Sequence, residues 1–214
     1  QFIGPLQSLD IYGLLPSYLE REHSSLVSMV NEFAKSSQTP EPHFYLYDHQ
    51  SLAARLQEGK ACVLFGVSYA LLDFASEQVR DLPNLTIVET GGMKGRREEM
   101  TREALYVGIK NGFPNSRLLS EYGMTELLSQ AYSAGNGIFE CPPWMKILIR
   151  DPEDPFHLLG SSRTGGVNVI DLANFNSCSF IATQDLGRAN EGSFFEIVGR
   201  FDHSDIRGCN LMAV

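Results

Sequence analysis

Apolar residues follow two different patterns along the chain. In the first part, short continuous apolar runs alternate with segments in which apolar residues recur every three or four positions. Continuous runs are typical of buried strands, and the longer period is typical of one face of a helix. The pattern predicts strands at 43–47, 61–67, 85–89 and 117–121 and helices at 22–35, 51–58, 70–79 and 96–110. Strands that alternate with helices indicate a parallel sheet covered by helices.

The period changes after residue 134. Short apolar runs separated by Gly, Pro, Asn and Asp predict further strands at 137–140, 146–150, 166–170, 179–182 and 194–198. We therefore predict an α/β fold with two subdomains and a tail. The α/β subdomain spans 1–134, a small β-rich subdomain spans 135–200, and a hinge-like tail spans 201–214.

Composition and charge narrow the function. The 214 residues, of which 43% are hydrophobic, suffice for a substantial core. A net charge of −9, with no basic stretch to offset it, disfavours nucleic-acid binding. No apolar run approaches the roughly 18 residues of a membrane span, so none is expected. The chain starts at Gln1 without an initiator Met or a signal peptide, and we expect it to be cut at its front.

The four cysteines are too far apart in sequence for a zinc finger or a dense disulfide framework. They are Cys62, Cys141, Cys178 and Cys209. Cysteines of this kind favour a reducing compartment, so we expect a cytoplasmic protein. The histidines are scattered without the spacing of metal ligands, and no zinc site is predicted.

Candidate chemistry lies at the ends of two predicted strands. Residues 120–126 combine two carboxylates, an aromatic ring, a glycine and hydroxyls, and residues 89–95 are polar and rich in glycine. Such groups suit a nucleotide, because a carboxylate holds a divalent cation and glycine amides face anions. Ligands of open parallel sheets lie beyond the carboxyl ends of the strands, so the two segments predict one shared crevice. Gly91 and Gly92 fit a tight turn between strand and helix equally well.

Several motifs together resemble one superfamily. The run Tyr122-Gly-Met-Thr-Glu126 is similar to the Tyr-Gly-x-Thr-Glu signature of the acyl-adenylate-forming ligases. The glycine-rich loop upstream, Asp185 within Thr-Gln-Asp-Leu-Gly, and Gly199-Arg-Phe-Asp202 resemble its other core motifs in the same order. The resemblance implies part of the large domain of such a ligase, with a parallel sheet, flanking helices and a following β-rich subdomain.

A narrower resemblance is to the acyl-protein synthetases, the LuxE-like branch related to phenylacetate-CoA ligases. It rests on residues 89–97, 120–132, 141–145 and 201–211. It implies activation of a carboxylic acid, a fatty acid, with ATP and Mg²⁺ as acyl-AMP. The acyl group would then pass to a thiol, either a protein cysteine or CoA. The implied partners are an acyl-accepting or reductase protein.

The resemblance gives the nucleotide-binding positions their roles. Gly91, Gly92 and Met93 would line the adenine and acyl pocket. Tyr122 would stack on the base, and Asp185 would accept hydrogen bonds from the ribose hydroxyls. The remaining nucleotide-binding positions are Glu121, Gly123 and Met124.

Three residues receive catalytic roles from the same resemblance. Thr125 would meet the α-phosphate, Glu126 would hold Mg²⁺ between phosphates, and Arg200 would reach the sugar or a phosphate. A carboxylate that attacks a phosphate brings like charges together, so the site must supply a cation and fixed donors. Simpler interpretations exist: Tyr122 as an ordinary strand-end tyrosine, Asp185 as the start of a turn, and Arg200 as half of a surface ion pair.

The chain also departs from the superfamily pattern. No Ser/Thr/Gly-rich phosphate loop precedes the motifs, and only twelve residues follow Asp202, where a lysine-bearing domain would begin. We expect both parts to be missing. Adenylation is then either retained, or it is lost and only ligand binding is kept. Cys209 is the candidate acyl acceptor because Arg207 favours its thiolate, and an acyltransferase is a further alternative. A packed hydrophobic cysteine explains Cys209 as well.

Overall fold

The computed structural model describes residues 1–16, 24–37, 39–77, 79–91, 100–190 and 192–201. The chain divides into two compact units, Gln1–Leu119 and Ser120–Val214. The division falls between two residues of one strand, upstream of the change of period at residue 134. This division does not test the predicted subdomain bounds, so those bounds stay a prediction.

The first unit is an α/β arrangement. Strands β1, β2 and β3 pair in parallel in that order, with Asp10 opposite Cys62 and Cys62 opposite Leu85. These strands are Asp10–Leu14, Cys62–Gly66 and Leu85–Glu89. The helices are α1 Ser25–Ser36, α2 His49–Leu56, α3 Ser68–Glu77 and α4 Arg102–Gly112. Parallel pairing with helical connections confirms the α/β class predicted for this part.

Sequence explains where these elements begin and what they bury. The side chains of Ser24, Asp48 and Thr101 accept amide hydrogen bonds at the starts of α1, α2 and α4, as N-cap residues do. Strand β2 is buried at all of its positions, as its continuous apolar run predicts.

In the first unit one predicted strand is wrong and one strand was missed. Residues 43–47 form no strand but a single parallel bridge between Phe44 and Gly13, because Gly13 alone exchanges backbone hydrogen bonds with residues 43 and 45. Strand β1 was not predicted, since a five-residue run that contains glycine gives a weak strand signal. Gly13 is required there because the ring of Phe44 lies where a side chain would be.

The strands of the second unit pair antiparallel, and β6 pairs with β10 instead of with the next strand in sequence. The strand order is β4-β5-β6-β10-β9-β8-β7. The strands are β4 Arg117–Tyr122, β5 Ala131–Ser133, β6 Ile138–Glu140, β7 Met145–Arg150, β8 Gly165–Asp171, β9 Phe180–Ala189 and β10 Phe194–Arg200, with a 3-10 helix at Leu172–Asn174. The predicted β-rich character of this part is confirmed, and the short β5 was missed.

Two neighbouring register shifts distort the strand pairing in the second unit. Strand β9 shifts against β8 between Gly166 and Asn168, and β10 shifts against β9 between Ile197 and Gly199. Such bulges bend a strand and redirect its side chains. Both meet the stretch of β9 around Asp185, where a turn was the simpler interpretation of the sequence and the strand instead continues.

The core of the second unit is apolar and aromatic. It includes Tyr122, Leu127, Phe139, Ile149, Val167 and Phe195. Among the described residues, no helix combines the length and the apolar character that a membrane span requires.

Candidate functional site

A cleft of about 170 Å³ opens on the second unit. It collects side chains from the end of β4, the loop that follows, β9 and β10. Its lining is Tyr122, Gly123, Met124, Glu126, Ile181, Ala182, Thr183, Gln184, Asp185 and Arg200. Six of these positions are site residues predicted from sequence, so this cleft is the candidate site.

Tyr122 forms the floor of the cleft. The residue is 0% exposed, and its ring packs edge-on against Phe195 with the centroids 5.2 Å apart. Its hydroxyl donates a 2.9 Å hydrogen bond to Oδ2 of Asp185. Burial, and then the Asp185 carboxylate, raise the pKa of Tyr122 well above its ordinary value, so it stays a protonated donor. The ring would have to be uncovered to stack on a base, and that role stays a prediction.

Asp185 and Arg200 face each other across strands β9 and β10. They are register partners, and Nε of Arg200 lies 3.3 Å from Oδ1 of Asp185. Their side chains are only 11% and 7% exposed. The pair is therefore largely withdrawn from water, unlike the surface ion pair of the simpler interpretation. Oδ2 of Asp185 accepts from Tyr122 and Oδ1 lies beside Arg200, so both oxygens of this carboxylate have protein partners.

Thr125 and Glu126 follow the floor residue in an exposed loop, and Glu126 lines the cleft. The part of the chain that the structure describes contains no group of three or more His, Cys, Asp or Glu side chains that could hold a metal. Mg²⁺ at nucleotide sites takes one or two carboxylates and otherwise phosphates and water. One exposed carboxylate at the cleft therefore fits a magnesium ion that arrives with a nucleotide.

Glu121 and Gly123 flank the floor residue on either side. The Glu121 carboxylate occupies the space that a side chain at position 123 would enter, so a larger residue there would displace this carboxylate. Burial, and then the charge of Glu121, raise the pKa of Tyr132, its partner across β4 and β5. Met124 packs partly against the core of the unit.

The glycine-rich loop belongs to the first unit. Gly91 has a φ of 77°, which favours glycine, and its amide donates to Oε1 of the buried Glu89 at 2.7 Å. The same oxygen accepts from the hydroxyl of Ser68 at 2.5 Å. The Gly91 amide therefore donates to a carboxylate of the chain itself and not to the phosphate of a ligand. Its nucleotide-binding role stays a prediction, and the predicted Gly92, Met93 and Cys209 lie outside the described residues.

Arg150 supports strands of the cleft without lining it, and the sequence did not predict this role. Its guanidinium donates to the carbonyls of Val167 at 3.0 Å and Thr183 at 2.6 Å and to Oδ1 of Asn168 at 2.7 Å. These acceptors lie on β8 and β9 at the register shift next to Asp185. Gly166 makes room, because the guanidinium lies where its side chain would be. The sequence shows only that Arg150 ends an apolar run, and the pairing that brings Gly166 opposite Arg150 is seen in the structure.

Replacing Arg150 with glutamine is expected to cost about 1.5–3 kcal/mol of unfolding free energy, because hydrogen bonds to a charged group are lost. Urea denaturation of the variant measures this. The matched control is Arg188→Gln, an exposed arginine on β9 that donates to Thr164, where a change within about 0.5 kcal/mol is expected. Equal stability of the two variants would show that Arg150 does not hold the distorted strands.

The described cysteines differ in accessibility. Cys62 and Cys141 are buried, and Cys178 is exposed. Burial raises the pKa of both buried thiols from 9.0 to about 12. We expect iodoacetamide at about pH 8 to label Cys178 in the native protein and to spare Cys62 and Cys141 until urea unfolds it. Peptide mass spectrometry measures this, and rapid native labelling of either buried thiol would contradict it.

Comparison with protein-family models and with curated proteins finds no match. Solved structures do share the fold. The chain superposes on ATP-bound MatB from Rhodopseudomonas palustris with a TM-score of 0.64 and 15% identity, covering 91% of this chain and 41% of that one. For O-succinylbenzoate coenzyme A synthetase from Bacillus subtilis in complex with AMP, the TM-score is 0.62 at 15% identity, covering 92% and 42%.

A luciferase-like enzyme from the nonluminescent Zophobas morio mealworm also matches, with a TM-score of 0.62 at 14% identity, covering 92% of this chain and 50% of that one. The chain thus spans half or less of the length of each of these proteins. The likeness shows that the chain shares the fold of a part of each of these proteins, and it confirms the predicted α/β fold class.

Proposed function

We propose that this protein binds ATP in the cleft of the second unit. In our proposal it activates a carboxylic acid, specifically a fatty acid, as the acyl adenylate. The acyl group then passes to a thiol, which is a cysteine of a partner protein or CoA. The observation that supports this most is the gathering of Tyr122, Asp185, Arg200 and Glu126, which the sequence scatters, around one cleft.

The neighbours in fold support the nucleotide. The MatB structure holds ATP and the synthetase structure holds AMP. In our proposal, Asp185 accepts hydrogen bonds from the ribose hydroxyls, since each carboxylate oxygen has two lone pairs. Tyr122 and Arg200 fix its carboxylate from two sides, at 2.9 Å and 3.3 Å, so it needs no reorganisation when the sugar binds.

The proposed reaction places two anions together, the attacking carboxylate and the α-phosphate. Glu126 would hold Mg²⁺, which supplies charge stabilisation at the phosphates when bound. Thr125 would donate its hydroxyl to the α-phosphate, and Arg200 would add positive charge at the edge of the cleft. Gly123 and Met124 would leave the backbone accessible on the side of the base.

The final acceptor and the setting are further parts of the proposal. An acyl-accepting or reductase protein fits the resemblance to the acyl-protein synthetases, and Cys209 is the acceptor candidate within this chain. A cytoplasmic location fits the free cysteines among the described residues.

Isothermal titration with ATP and Mg²⁺, followed by pyrophosphate exchange with and without a fatty acid, tests the proposal. We expect ATP binding and exchange that requires the acid. Binding without acid-dependent exchange would overturn the enzymatic activity and would favour a nucleotide-binding module. Labelling of Cys209 by acyl-CoA without ATP would instead favour an acyltransferase.

A further inference from the structure

A buried asparagine holds the backbone of the loop that carries Glu126. Asn174, at the end of the 3-10 helix after β8, is 4% exposed. Its Nδ2 donates to the carbonyl oxygen of Glu126 at 2.7 Å, and its Oδ1 accepts from the amide of Leu128 at 2.8 Å. One side chain thus bonds the loop on both sides of residue 127 and fixes its path.

A buried carboxylate fixes the next residue of the same loop. Asp171 is 0% exposed, and it accepts hydrogen bonds from the amide of Ser129 at 2.9 Å and the hydroxyl of Ser129 at 2.7 Å. It also accepts from the amide of Ala173 at 3.0 Å, which ties it to the turn that holds Asn174. Nε1 of Trp144 donates to the Ser129 hydroxyl at 2.9 Å.

These contacts surround an exposed carboxylate with a fixed backbone. Leu127 is buried in the core, whereas Glu126 is exposed and lines the cleft. An exposed glutamate on a free loop would sample many directions, and ordering it would lower its affinity for a cation. Mutation of residues that orient a metal ligand through hydrogen bonds typically lowers metal affinity or activity by about 10–100-fold.

We propose that Asn174 is a positioning residue for Glu126. Asp171 and Ser129 complete a hydrogen-bonded group, which we call the latch, and this group directs the Glu126 carboxylate toward the cation of bound nucleotide. The latch is defined by Asn174, Asp171 and Ser129. The inference rests on the proposed function, because the cation is the one that accompanies ATP. It adds Asn174 and Asp171, which lie outside the segments that carry the family resemblance.

The test compares ATP binding with and without Mg²⁺. In Asn174→Ala, we expect the affinity for ATP with Mg²⁺ to fall by about 10–100-fold. The affinity for ATP in EDTA is expected to stay that of the wild type, a pattern that a general loss of structure would not give. Asn174→Asp serves as the isosteric variant, since it keeps the acceptor for Leu128 and loses the donor to Glu126. It is expected to behave in the same way.

The matched control is Asn115→Ala, a surface asparagine that donates to Asp81 in the first unit. It is expected to keep the full effect of Mg²⁺. Trp144 is the only tryptophan, so its fluorescence reports on Ser129, and we expect Mg²⁺ with ATP to change it in the wild type. An unchanged effect of Mg²⁺ in both Asn174 variants would overturn this inference alone. Failure of the wild type to bind ATP at all would overturn the proposed function and the inference with it.

Discussion

The Asp185→Ala variant is expected to lose about 3–5 kcal/mol of unfolding free energy, the largest effect on stability that we predict. Truncation leaves the largely buried guanidinium of Arg200 without its counter-charge, 3.3 Å away in the native protein. It also leaves the fully buried hydroxyl of Tyr122 without its acceptor. Removing one partner of a buried pair is costly because the other charge stays out of water.

Urea denaturation at neutral pH measures this loss. The matched control is Asp81→Ala, an exposed aspartate that accepts a hydrogen bond from Asn115. Its stability is expected to change by no more than about 0.5 kcal/mol. If Asp185→Ala were as stable as the control, the three groups would not form the buried network on which the floor of the cleft depends.

Glu126→Gln is expected to have the largest effect on activity. Loss of the carboxylate removes the ligand proposed for Mg²⁺, so acid-dependent pyrophosphate exchange should fall by at least about 100-fold, which corresponds to ~2.7 kcal/mol in the activation free energy. Stability should stay within about 0.5 kcal/mol of the wild type, since the side chain is exposed. The two effects together separate a functional role from a structural one.

Glu153→Gln is the control for this prediction. Glu153 is an exposed glutamate in the turn after β7, and its replacement leaves the cleft intact. We expect unchanged exchange in this variant. Exchange in Glu126→Gln at the level of the Glu153 variant would remove Glu126 from the proposed mechanism.

The sequence predicted the residues of the cleft better than their environment. Tyr122 and Asp185 could be assigned to one site because their motifs resemble those of a known superfamily. The burial of the Tyr122 ring could not, since it depends on Phe139 and Phe195, which lie on strands whose pairing is not local. A turn at Asp185 and Gly187 was the simpler interpretation of the sequence, but the pairing of β9 with β8 and β10 carries the strand through these residues.

The side chains that support the cleft could not be predicted from the sequence, for a related reason. Arg150 bonds carbonyls that accept its guanidinium where the register shifts, and a bulge position is a property of the assembled sheet. Asn174 reaches backbone groups of Glu126 and Leu128, more than forty positions earlier in the chain. In contrast, the caps at Ser24, Asp48 and Thr101 bond amides three residues away and are local contacts, although the predicted helix starts at 22, 51 and 96 differ from the observed ones.

Photolabelling with an azide derivative of ATP tests the central claim most directly, because it locates the nucleotide as well as detecting it. The account predicts that the label enters peptides covering residues 120–130 or 180–190 and that unlabelled ATP with Mg²⁺ prevents it. Labelling elsewhere, for example in the groove of the first unit lined by Tyr45 and Tyr47, or labelling that ATP does not prevent, would contradict the account.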